Sequence, residues 1–160
     1  MQVCVTRFNN KTLNENKQWK INNNFNGCIY GTPVKITDNI MIDESIIIIE
    51  MNNSENKIEG FGIIKNKLFL RDKKYRIYSD NNYNRYIYKS NFYLSVHEIT
   101  DKYLKTIISN LEKLLFKSYY HCKRGHGIQK LPSKITKNED FNYCRFLKNL
   151  CDSKKTNLTT

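Results

Sequence analysis

The stretch Ser45-Ile-Ile-Ile-Ile-Glu-Met51, followed by Lys57-Ile-Glu-Gly-Phe-Gly-Ile-Ile64, decides the fold of this 160-residue chain. Four consecutive isoleucines are too few for an isolated helix, and their β-branched side chains favour extended backbone. We therefore predict a strand that is buried on both faces. The second segment predicts a strand that returns alongside the first, because the intervening Asn52-Asn-Ser-Glu-Asn56 supplies turn residues.

Two glycines alternate on the returning strand. Gly60 and Gly62 lie on the same side as Ile58 and Ile64, since side chains alternate along a strand. Glycines at these positions predict a groove in which another group approaches the backbone closely. The alternative is that they mark a β-bulge or the corner of a barrel.

The residues before this pair predict one more strand, a short helix and a turn. Val3-Cys-Val-Thr-Arg-Phe8 is a β-branched, apolar run that predicts the first strand. Thr12, with Glu15 three residues later, fits a capping box that opens a helix, and Asn22-Asn-Asn24 ends it. Gly27-Cys-Ile-Tyr-Gly-Thr-Pro33 then predicts a short strand that leads into a turn.

The second half of the chain changes from short strands to helices. Lys74-Tyr-Arg-Ile-Tyr78 and Tyr83-Asn-Arg-Tyr-Ile-Tyr-Lys89 flank Asp80-Asn-Asn82, and this pattern predicts a hairpin. A helix is expected after Thr100 as N-cap. Its apolar residues recur at helical spacing, which predicts that one face packs on the sheet. They are Tyr103, Leu104, Ile107, Ile108, Leu111, Leu114 and Leu115.

A last helix is predicted from about Glu139 to Cys151. Strands with few intervening helices favour an α+β domain over a doubly wound sheet. The fold prediction is therefore a small mixed β-barrel with a short N-terminal helix and two C-terminal helices. It forms a single domain over residues 1–151, and residues 152–160 are expected to be a flexible polar tail.

Charge is the strongest indication of a partner. Lys and Arg number 27 against 15 acidic residues, which gives a net charge of +12 and a pI near 9.5. A charge of this size attracts polyanions and favours nucleic acid. The alternative is a solvated surface whose lysine content is raised by the codon bias of an AT-rich genome. An acidic protein is a further possible partner.

The N-terminus and the cysteines indicate the compartment. Met1-Gln-Val-Cys-Val-Thr-Arg7 lacks the apolar core of a signal peptide, and no apolar run reaches membrane-spanning length. Five cysteines, an odd number, do not suit a closed disulfide framework. We therefore expect an intracellular, cytoplasmic protein that does not bind membranes.

The segment Lys117-Ser-Tyr-Tyr-His-Cys-Lys-Arg-Gly-His-Gly-Ile-Gln-Lys-Leu-Pro132 is the strongest candidate for a site. Glycines allow successive backbone N–H groups to point the same way, and such a nest suits phosphate. The segment is not a Walker A loop, because no Gly-Lys-Ser/Thr ending follows. The predicted phosphate-binding residues are Lys123, Arg124, Gly125, His126, Gly127 and Lys130.

Basic residues interleaved with tyrosines form a second candidate surface. Arg76, Arg85 and Lys89 lie among six tyrosines between residues 75 and 93. This mixture suits phosphate neutralisation together with stacking on bases. Trp19, the only tryptophan, is either a core anchor or one wall of a base-stacking pocket.

Catalysis and metal binding have weaker support. His121 and His126 are candidates for a general acid/base pair acting on a phosphodiester. However, the segment contains no carboxylate cluster for metal and no base beside a nucleophile, which favours a binding protein over an enzyme. A zinc set drawn from Cys122, His126, Cys144 and Cys151 lacks a Cys-x2-Cys pair. We therefore expect no metal and no cofactor.

The paired strands Ile46-Ile-Ile-Ile-Glu50 and Lys57-Ile-Glu-Gly-Phe-Gly-Ile-Ile64 resemble those of the PUA-like superfamily, including its EVE, ASCH and YTH branches. PUA-like domains are small barrels that bind RNA or DNA, often with a flipped or modified base in an aromatic pocket. The resemblance implies that Trp19 and the Asn52-Asn53 turn are candidates for such a pocket.

Five stretches resemble an uncharacterised family encoded by large nucleocytoplasmic DNA viruses. This resemblance covers about the first 150 residues and implies a location in the host cytoplasm or the virion, but no activity. The stretches are Val5-Thr-Arg-Phe8, Gly27-Cys-Ile-Tyr-Gly31, Glu50-Met-Asn-Asn53, Tyr83-Asn-Arg-Tyr-Ile-Tyr-Lys89 and Lys123-Arg-Gly-His-Gly-Ile128.

The sequence therefore predicts a nucleic-acid-binding protein that uses a basic, glycine-containing loop and an aromatic pocket. A viral structural or protein-interaction component with a basic surface is the alternative. A nuclease that depends on its histidines is the third hypothesis. The choice between RNA and DNA and the oligomeric state stay open at this point.

Overall fold

A five-stranded mixed sheet is the centre of the fold in the computed structural model, which describes residues 1–69 and 75–159. A second sheet of two strands and four helices accompany it. Within the described residues, no helix is both long enough and apolar enough to cross a membrane. The strands are β1 (Gln2–Phe8), β2 (Cys28–Thr32), β3 (Ser45–Asn52), β4 (Lys57–Lys65), β5 (Tyr86–Ser90), β6 (Tyr93–Ser95) and β7 (Gln129–Lys130). The helices are α1 (Asn10–Asn22), α2 (Lys102–Lys117), α3 (Ser133–Thr136) and α4 (Tyr143–Thr159), with short 3-10 helices at Asn81–Asn84 and Val96–Glu98.

The two predicted central strands are adjacent in the large sheet, whose order is β6-β4-β3-β1-β7. β3 pairs antiparallel with β4, as predicted, so that Ile48 lies opposite Gly62. On its other side β3 pairs in parallel with β1, with Ile48 opposite Cys4. The carboxyl ends of β1 and β3 therefore meet at the same edge of the sheet, where Phe8 lies opposite Asn52.

Burial of β3 on both faces, predicted from its isoleucines, is confirmed. Ile47 and Ile49 pack in a core that the sheet forms with α2 and α4. Ile46 and Ile48 pack in a second core on the opposite face, with β2 and β5. Helices thus cover one face of the sheet and the two-stranded sheet covers the other, which explains why a continuous apolar run is needed between them.

The α+β class is confirmed, but the described strands do not form the closed barrel that the sequence predicted. They form two sheets of five and two strands, because β2 and β5 pair with each other and not with the large sheet. The edge strands of the large sheet are β6 and β7, only three and two residues long. Besides the predicted helices, the structure contains the one-turn helix α3.

The predicted hairpin between residues 74 and 89 is wrong over its described part; Lys74 lies outside the described residues. Residues 75–78 are not a strand, and β5 pairs instead with β2, so that Tyr88 lies opposite Tyr30. The physical reason is a side-chain cap. Oδ1 of Asn84 accepts hydrogen bonds from the backbone N–H groups of Ile77 and Tyr78, which occupies the donors that a strand would use.

Two helix starts differ from the predicted caps. α1 is capped by Asn9, whose side chain accepts from the backbone N–H of Thr12, while the Thr12 hydroxyl accepts from the backbone N–H of Asn9. The capping box is therefore Asn9 with Thr12, and not Thr12 with Glu15. α2 is capped by Asp101, one residue after the predicted Thr100, and its Oδ1 accepts from Leu104 N–H at 2.9 Å.

The last helix is displaced towards the C-terminus. α4 begins at Tyr143, four residues after the predicted start at Glu139. It continues to Thr159, so residues 152–159, which were expected to be a loose tail, are helical. Backbone and side-chain hydroxyl bonds continue along this part, for example from the Thr156 hydroxyl to the carbonyl of Asp152 at 3.1 Å.

The predicted groove at Gly60 and Gly62 is confirmed, and tyrosines of the chain itself fill it. A Cβ added at Gly62 would lie 2.2 Å from the Tyr30 hydroxyl, and one at Gly60 would lie 2.5 Å from the Tyr93 hydroxyl. Both hydroxyls donate to the buried carboxyl of Glu50, at 2.9 Å and 3.2 Å. The predicted alternative is also present, since β3 and β4 have a bulge after Glu50.

Candidate functional site

A cleft of about 380 Å³ opens at the carboxyl ends of β1 and β3. This is within the size range of small-ligand pockets, roughly 300–1,000 Å³. Its walls come from five parts of the chain: the end of β1 with the start of α1, the end of β2, Asn53 directly after β3, residues 78–83, and the loop before β7. The lining residues are Thr6, Arg7, Phe8, Asn9, Lys11, Thr12, Glu15, Gly31, Thr32, Pro33, Asn53, Tyr78, Ser79, Asp80, Tyr83, Lys123, Gly125, His126 and Gly127.

Arg7 is the half-buried cation of the cleft. Its Nε donates to the backbone carbonyl of Cys122, and its Nη2 donates to Oε1 of Gln129 at 2.9 Å. The third nitrogen, Nη1, is buried and has no hydrogen-bond partner in the protein. Burial lowers the pKa of Arg7, but a guanidinium stays protonated in proteins. The cleft therefore contains a charged donor without an acceptor.

Asn53 provides an acceptor without a donor. It follows β3, and its Nδ2 donates to the backbone carbonyl of Lys123 at 2.8 Å. Its Oδ1 is buried and has no partner. Leaving such a group unsatisfied costs about 1–3 kcal/mol, so each instance calls for an explanation. Arg7 and Asn53 together offer a ligand one buried donor and one buried acceptor.

The glycine loop, residues 123–127, lines the cleft, and its two glycines have backbone conformations that favour glycine. Gly125 has φ of +132° and Gly127 has φ of +65°. A Cβ at Gly125 would also lie 2.2 Å from Oε1 of Gln129 and 3.1 Å from Nη2 of Arg7. The absence of a side chain at this position therefore allows the loop to lie against the Arg7–Gln129 pair.

The lining of the cleft carries three cations, Arg7, Lys11 and Lys123. Two carboxylates also line the cleft, and both cap backbone groups. Glu15 accepts from Ser79 N–H at 3.2 Å, and Asp80 accepts from Asn82 N–H at 2.9 Å.

Two tyrosines give the cleft an aromatic wall. Tyr78 is buried, and its hydroxyl accepts from Nδ2 of Asn16 at 3.0 Å. Burial raises the pKa of Tyr78, so the phenol stays neutral. The ring of Tyr83 packs edge-on against Tyr78, with centroids 6.3 Å apart, and is 38% exposed. Tyr83 can therefore present ring surface to a ligand while Tyr78 holds it in place.

The structure brings together only part of the predicted site. Of the residues predicted to bind phosphate, Lys123, Gly125, His126 and Gly127 line the cleft. Their remaining predicted neighbours do not line it. Arg124 and His121 are exposed on the same segment, and the exposed Lys130 donates from Nζ to the backbone carbonyl of Asn39. His121 and His126 therefore do not share the cleft as an acid/base pair would.

The second predicted surface contributes two tyrosines to the cleft, Tyr78 and Tyr83, but none of its basic residues. Arg76 and Arg85 are exposed and do not line the cleft. Trp19 and Lys89 belong to an aromatic cluster instead. The Nζ of Lys89 lies 4.4 Å from the ring centroid of Phe25 and 5.7 Å from that of Trp19.

This cluster favours the core-anchor interpretation of Trp19 and directs Lys89 to aromatic rings. The rings of Phe69 and Tyr75 also lie within 6 Å of the Lys89 ammonium. Trp19 packs on Phe25 and Tyr75, with centroids 6.1 Å and 5.6 Å apart. Strand pairing places Lys89 beside Ile29 of β2, and this position turns its side chain towards the rings. Lys89 is thus directed to aromatic faces, and Trp19 is a partly buried anchor.

Sequence reasoning missed Arg7 as a site residue, whereas it indicated Asn53 only through the PUA-like resemblance and Tyr83 only as one of six tyrosines. Arg7 and Asn53 are close because β1 and β3 are parallel, and ligands of open mixed sheets bind at the carboxyl ends of such strands. The sequence signal for this site was a polar residue at the end of each of two apolar runs. Without the parallel pairing, that signal does not identify a shared site.

The cysteines of the proposed zinc set are packing residues. Cys122 and Cys151 are buried in the core beneath α2 and α4, and Cys144 packs against it. All five cysteines are free thiols, and burial raises the pKa of Cys151 to about 12. In the described part of the chain, no three His, Cys, Asp or Glu side chains are grouped as metal ligands would be.

A scan against protein-family models finds no matching family, and searches of curated proteins and of solved structures find no similar protein. The functional argument therefore rests on the cleft. Its distinguishing features are a buried guanidinium donor, a buried amide acceptor, an aromatic wall and a basic glycine loop.

Proposed function

We propose that the protein binds nucleic acid and that the cleft receives one nucleotide of it. The observation that carries the proposal is the unpartnered Nη1 of Arg7, a buried and permanently charged donor on a side chain that lines the cleft. An acceptor from a ligand would remove the cost of leaving this donor unsatisfied. Phosphate and base oxygens are such acceptors, and guanidinium groups bind both.

The pairing of Arg7 with Asn53 favours a base over a phosphate at the bottom of the cleft. A phosphate diester offers acceptors to Arg7 but no donor to Oδ1 of Asn53. The hydrogen-bonding edges of nucleobases carry donors and acceptors side by side. The partly exposed ring of Tyr83 supports the same ligand, because aromatic rings stack on the faces of bases. In this proposal the aromatic pocket is the cleft, and not the surroundings of Trp19.

The backbone of the nucleic acid would then follow the glycine loop. Lys123 lines the cleft, and the exposed Arg124 is the next residue. Both can neutralise phosphates that flank the bound base. The net charge of +12 adds a long-range attraction for the same polyanion.

The proposed origin of this fold is a diverged PUA-like domain of a large DNA virus. Support comes from the β3–β4 pair, in which glycines of one strand admit tyrosines that reach a carboxyl of the other. Support also comes from a cleft suited to a single base. The two sheets are then an open relative of the PUA-like barrel.

A salt-titrated binding assay tests the proposed function. Fluorescence anisotropy would compare single-stranded and double-stranded RNA and DNA, with heparin as the polyanion control. We expect a nucleic acid to bind more tightly than heparin at equal ionic strength, because only the nucleic acid carries a base for the cleft. Equal binding to heparin would mean that the interaction depends only on the overall positive charge of the protein, and it would contradict the proposal. Stable capture of an acidic protein without nucleic-acid binding would support the interaction alternative.

A further inference from the structure

Two adjacent tyrosines beside the cleft are exposed to solvent. Tyr119 is 92% exposed and Tyr120 is 47% exposed, although large aromatic side chains are usually mostly buried. Their rings are perpendicular to each other, with centroids 5.2 Å apart. Together they form an aromatic platform that no core residue covers, and we call it the Tyr119–Tyr120 platform.

The platform is held by a structured turn. After α2, the Ser118 carbonyl accepts from His121 N–H at 3.1 Å, and the Ser118 hydroxyl donates to the carbonyl of Leu114 at 2.6 Å. Cys122 is buried, and its backbone N–H donates to Leu115 at 2.7 Å. The spacing between the platform and the cleft is therefore defined by hydrogen-bonded backbone.

Arg7 connects this turn to the cleft. The carbonyl that receives Nε of Arg7 belongs to Cys122, two residues after Tyr120. Lys123, which lines the cleft, is three residues after Tyr120, at most roughly 11 Å of extended chain. The platform therefore lies within a few residues of chain from the lining of the cleft.

The charged side chains on both sides of the platform along the chain are all positive. Between residues 113 and 138 the sequence contains seven basic residues and no Asp or Glu: Lys113, Lys117, Lys123, Arg124, Lys130, Lys134 and Lys137. The Nζ of Lys134 lies 5.9 Å from the ring centroid of Tyr120. Exposed rings among cations complement a chain of phosphates that carries flat, apolar bases.

We infer that the protein binds single-stranded nucleic acid, with one base in the cleft and a neighbouring base stacked on the Tyr119–Tyr120 platform. This inference rests on the proposed function and names its substrate class. A duplex does not fit as well, because its paired bases are stacked on each other and do not offer free faces to an exposed ring. An acidic peptide would use the lysines but has no flat groups for the tyrosines.

Binding of a short oligothymidylate and of an abasic oligonucleotide of equal length tests the inference. The wild type would be compared with Tyr119→Ala and Tyr120→Ala. Tyr103→Ala is the matched control, because Tyr103 is 69% exposed at the start of α2 and lies outside the basic segment. Tyr119→Phe keeps the ring and removes only the hydroxyl.

Each platform alanine should weaken oligothymidylate binding about 5- to 100-fold, the range expected for one stacked base. Binding of the abasic oligonucleotide should be unchanged, and Tyr103→Ala and Tyr119→Phe should resemble the wild type. Unchanged oligothymidylate affinity in both alanine variants would overturn the inference and leave the proposed function standing. Tighter binding of a duplex than of a single strand would have the same consequence. Failure of the wild type to bind any nucleic acid would overturn the proposed function itself.

Discussion

Arg7 donates from Nε to the backbone carbonyl of Cys122, 115 residues further along the chain. This bond joins the end of the first strand to the basic segment that the sequence indicated as a site. Nη1 of Arg7 stays buried and without a partner, and so does the side-chain oxygen of Asn53, which lines the same cleft. One nitrogen of the Arg7 side chain, Nε, thus holds the loop in place, while another, Nη1, has no partner in the protein.

Two of the lysines that the sequence assigned to nucleic-acid binding, Lys123 and Lys89, should behave differently. Lys123→Ala should weaken nucleic-acid binding and reduce the salt slope by about one, because it removes one phosphate-neutralising charge. Lys89→Ala should leave binding and slope unchanged and lower the free energy of unfolding by about 0.5–2 kcal/mol through lost contacts with aromatic rings. Salt-titrated anisotropy and denaturant unfolding measure the two effects. A loss of binding in Lys89→Ala equal to that in Lys123→Ala would refute the assignment.

Gly125→Ala should disable the cleft. The added Cβ would meet Oε1 of Gln129 at 2.2 Å, and the side chain of Gln129 would have to leave Nη2 of Arg7. We expect at least a tenfold loss of oligonucleotide affinity, about 1.4 kcal/mol. Thermal stability should also fall, because alanine is strained at a φ of +132°, so the affinities are compared at a temperature at which the variant is folded. Normal affinity in a folded Gly125→Ala protein would show that Gln129 does not position Arg7.

Gly62→Ala should strongly destabilise the protein, because its Cβ would lie 2.2 Å from the Tyr30 hydroxyl. Tyr30→Phe removes that oxygen and should relieve part of the clash. The double variant should therefore be less destabilised than the sum of the single variants, with a coupling of about 0.5–3 kcal/mol. Denaturant unfolding of all four proteins closes the cycle. Strict additivity would contradict the observed contact.

Stability should depend on pH through Glu50. Burial raises the pKa of this carboxyl above its ordinary value, although the nearby Lys20 acts in the opposite direction. A raised folded pKa means that the contribution of Glu50 to stability is fully present below the unfolded pKa, about 4.3, and is lost as pH rises through the folded pKa. Glu50→Gln lacks this titration, so the wild type should lose stability relative to the variant as pH rises.

The matched variant is Glu50→Leu, which leaves the hydroxyls of Tyr30 and Tyr93 without their acceptor. It should cost more than Glu50→Gln at every pH, by about 1–3 kcal/mol for each unsatisfied hydroxyl. Denaturant unfolding between pH 4 and pH 8 provides the comparison. A constant difference between wild type and Glu50→Gln over this range would exclude a raised pKa.

Local patterns predicted the elements that local interactions form. The isoleucines of β3 and the glycines of β4 determine a buried strand pair, and the structure confirms it. Helix α2 was recognisable from its apolar spacing, although the N-cap was misplaced by one residue. Such caps differ by a single hydrogen bond, which neighbouring residues of similar chemistry can provide.

The cleft could not be predicted because its residues meet through non-local pairing. The parallel pairing of β1 with β3 brings Arg7 near Asn53, and nothing in either strand specifies that partner. The hairpin prediction failed for the same reason, since β5 pairs with the distant β2. The contact of Lys89 with aromatic rings is likewise a product of strand pairing, which composition does not reveal.

The affinity of Arg7→Met for a single-stranded oligonucleotide tests the central claim most directly. Methionine keeps an unbranched apolar stem and removes every guanidinium donor. Arg145→Met is the matched control, because Arg145 is exposed on α4 and does not line the cleft. Both variants would be assayed at equal salt after circular dichroism has shown that they are folded.

The account predicts that Arg7→Met loses affinity at least tenfold, while Arg145→Met stays close to the wild type apart from a small salt-dependent change. Equal affinities of the two variants would contradict it, because Arg7 would then contribute only general charge. In that case the buried, unpartnered Nη1 would have no role in binding nucleic acid.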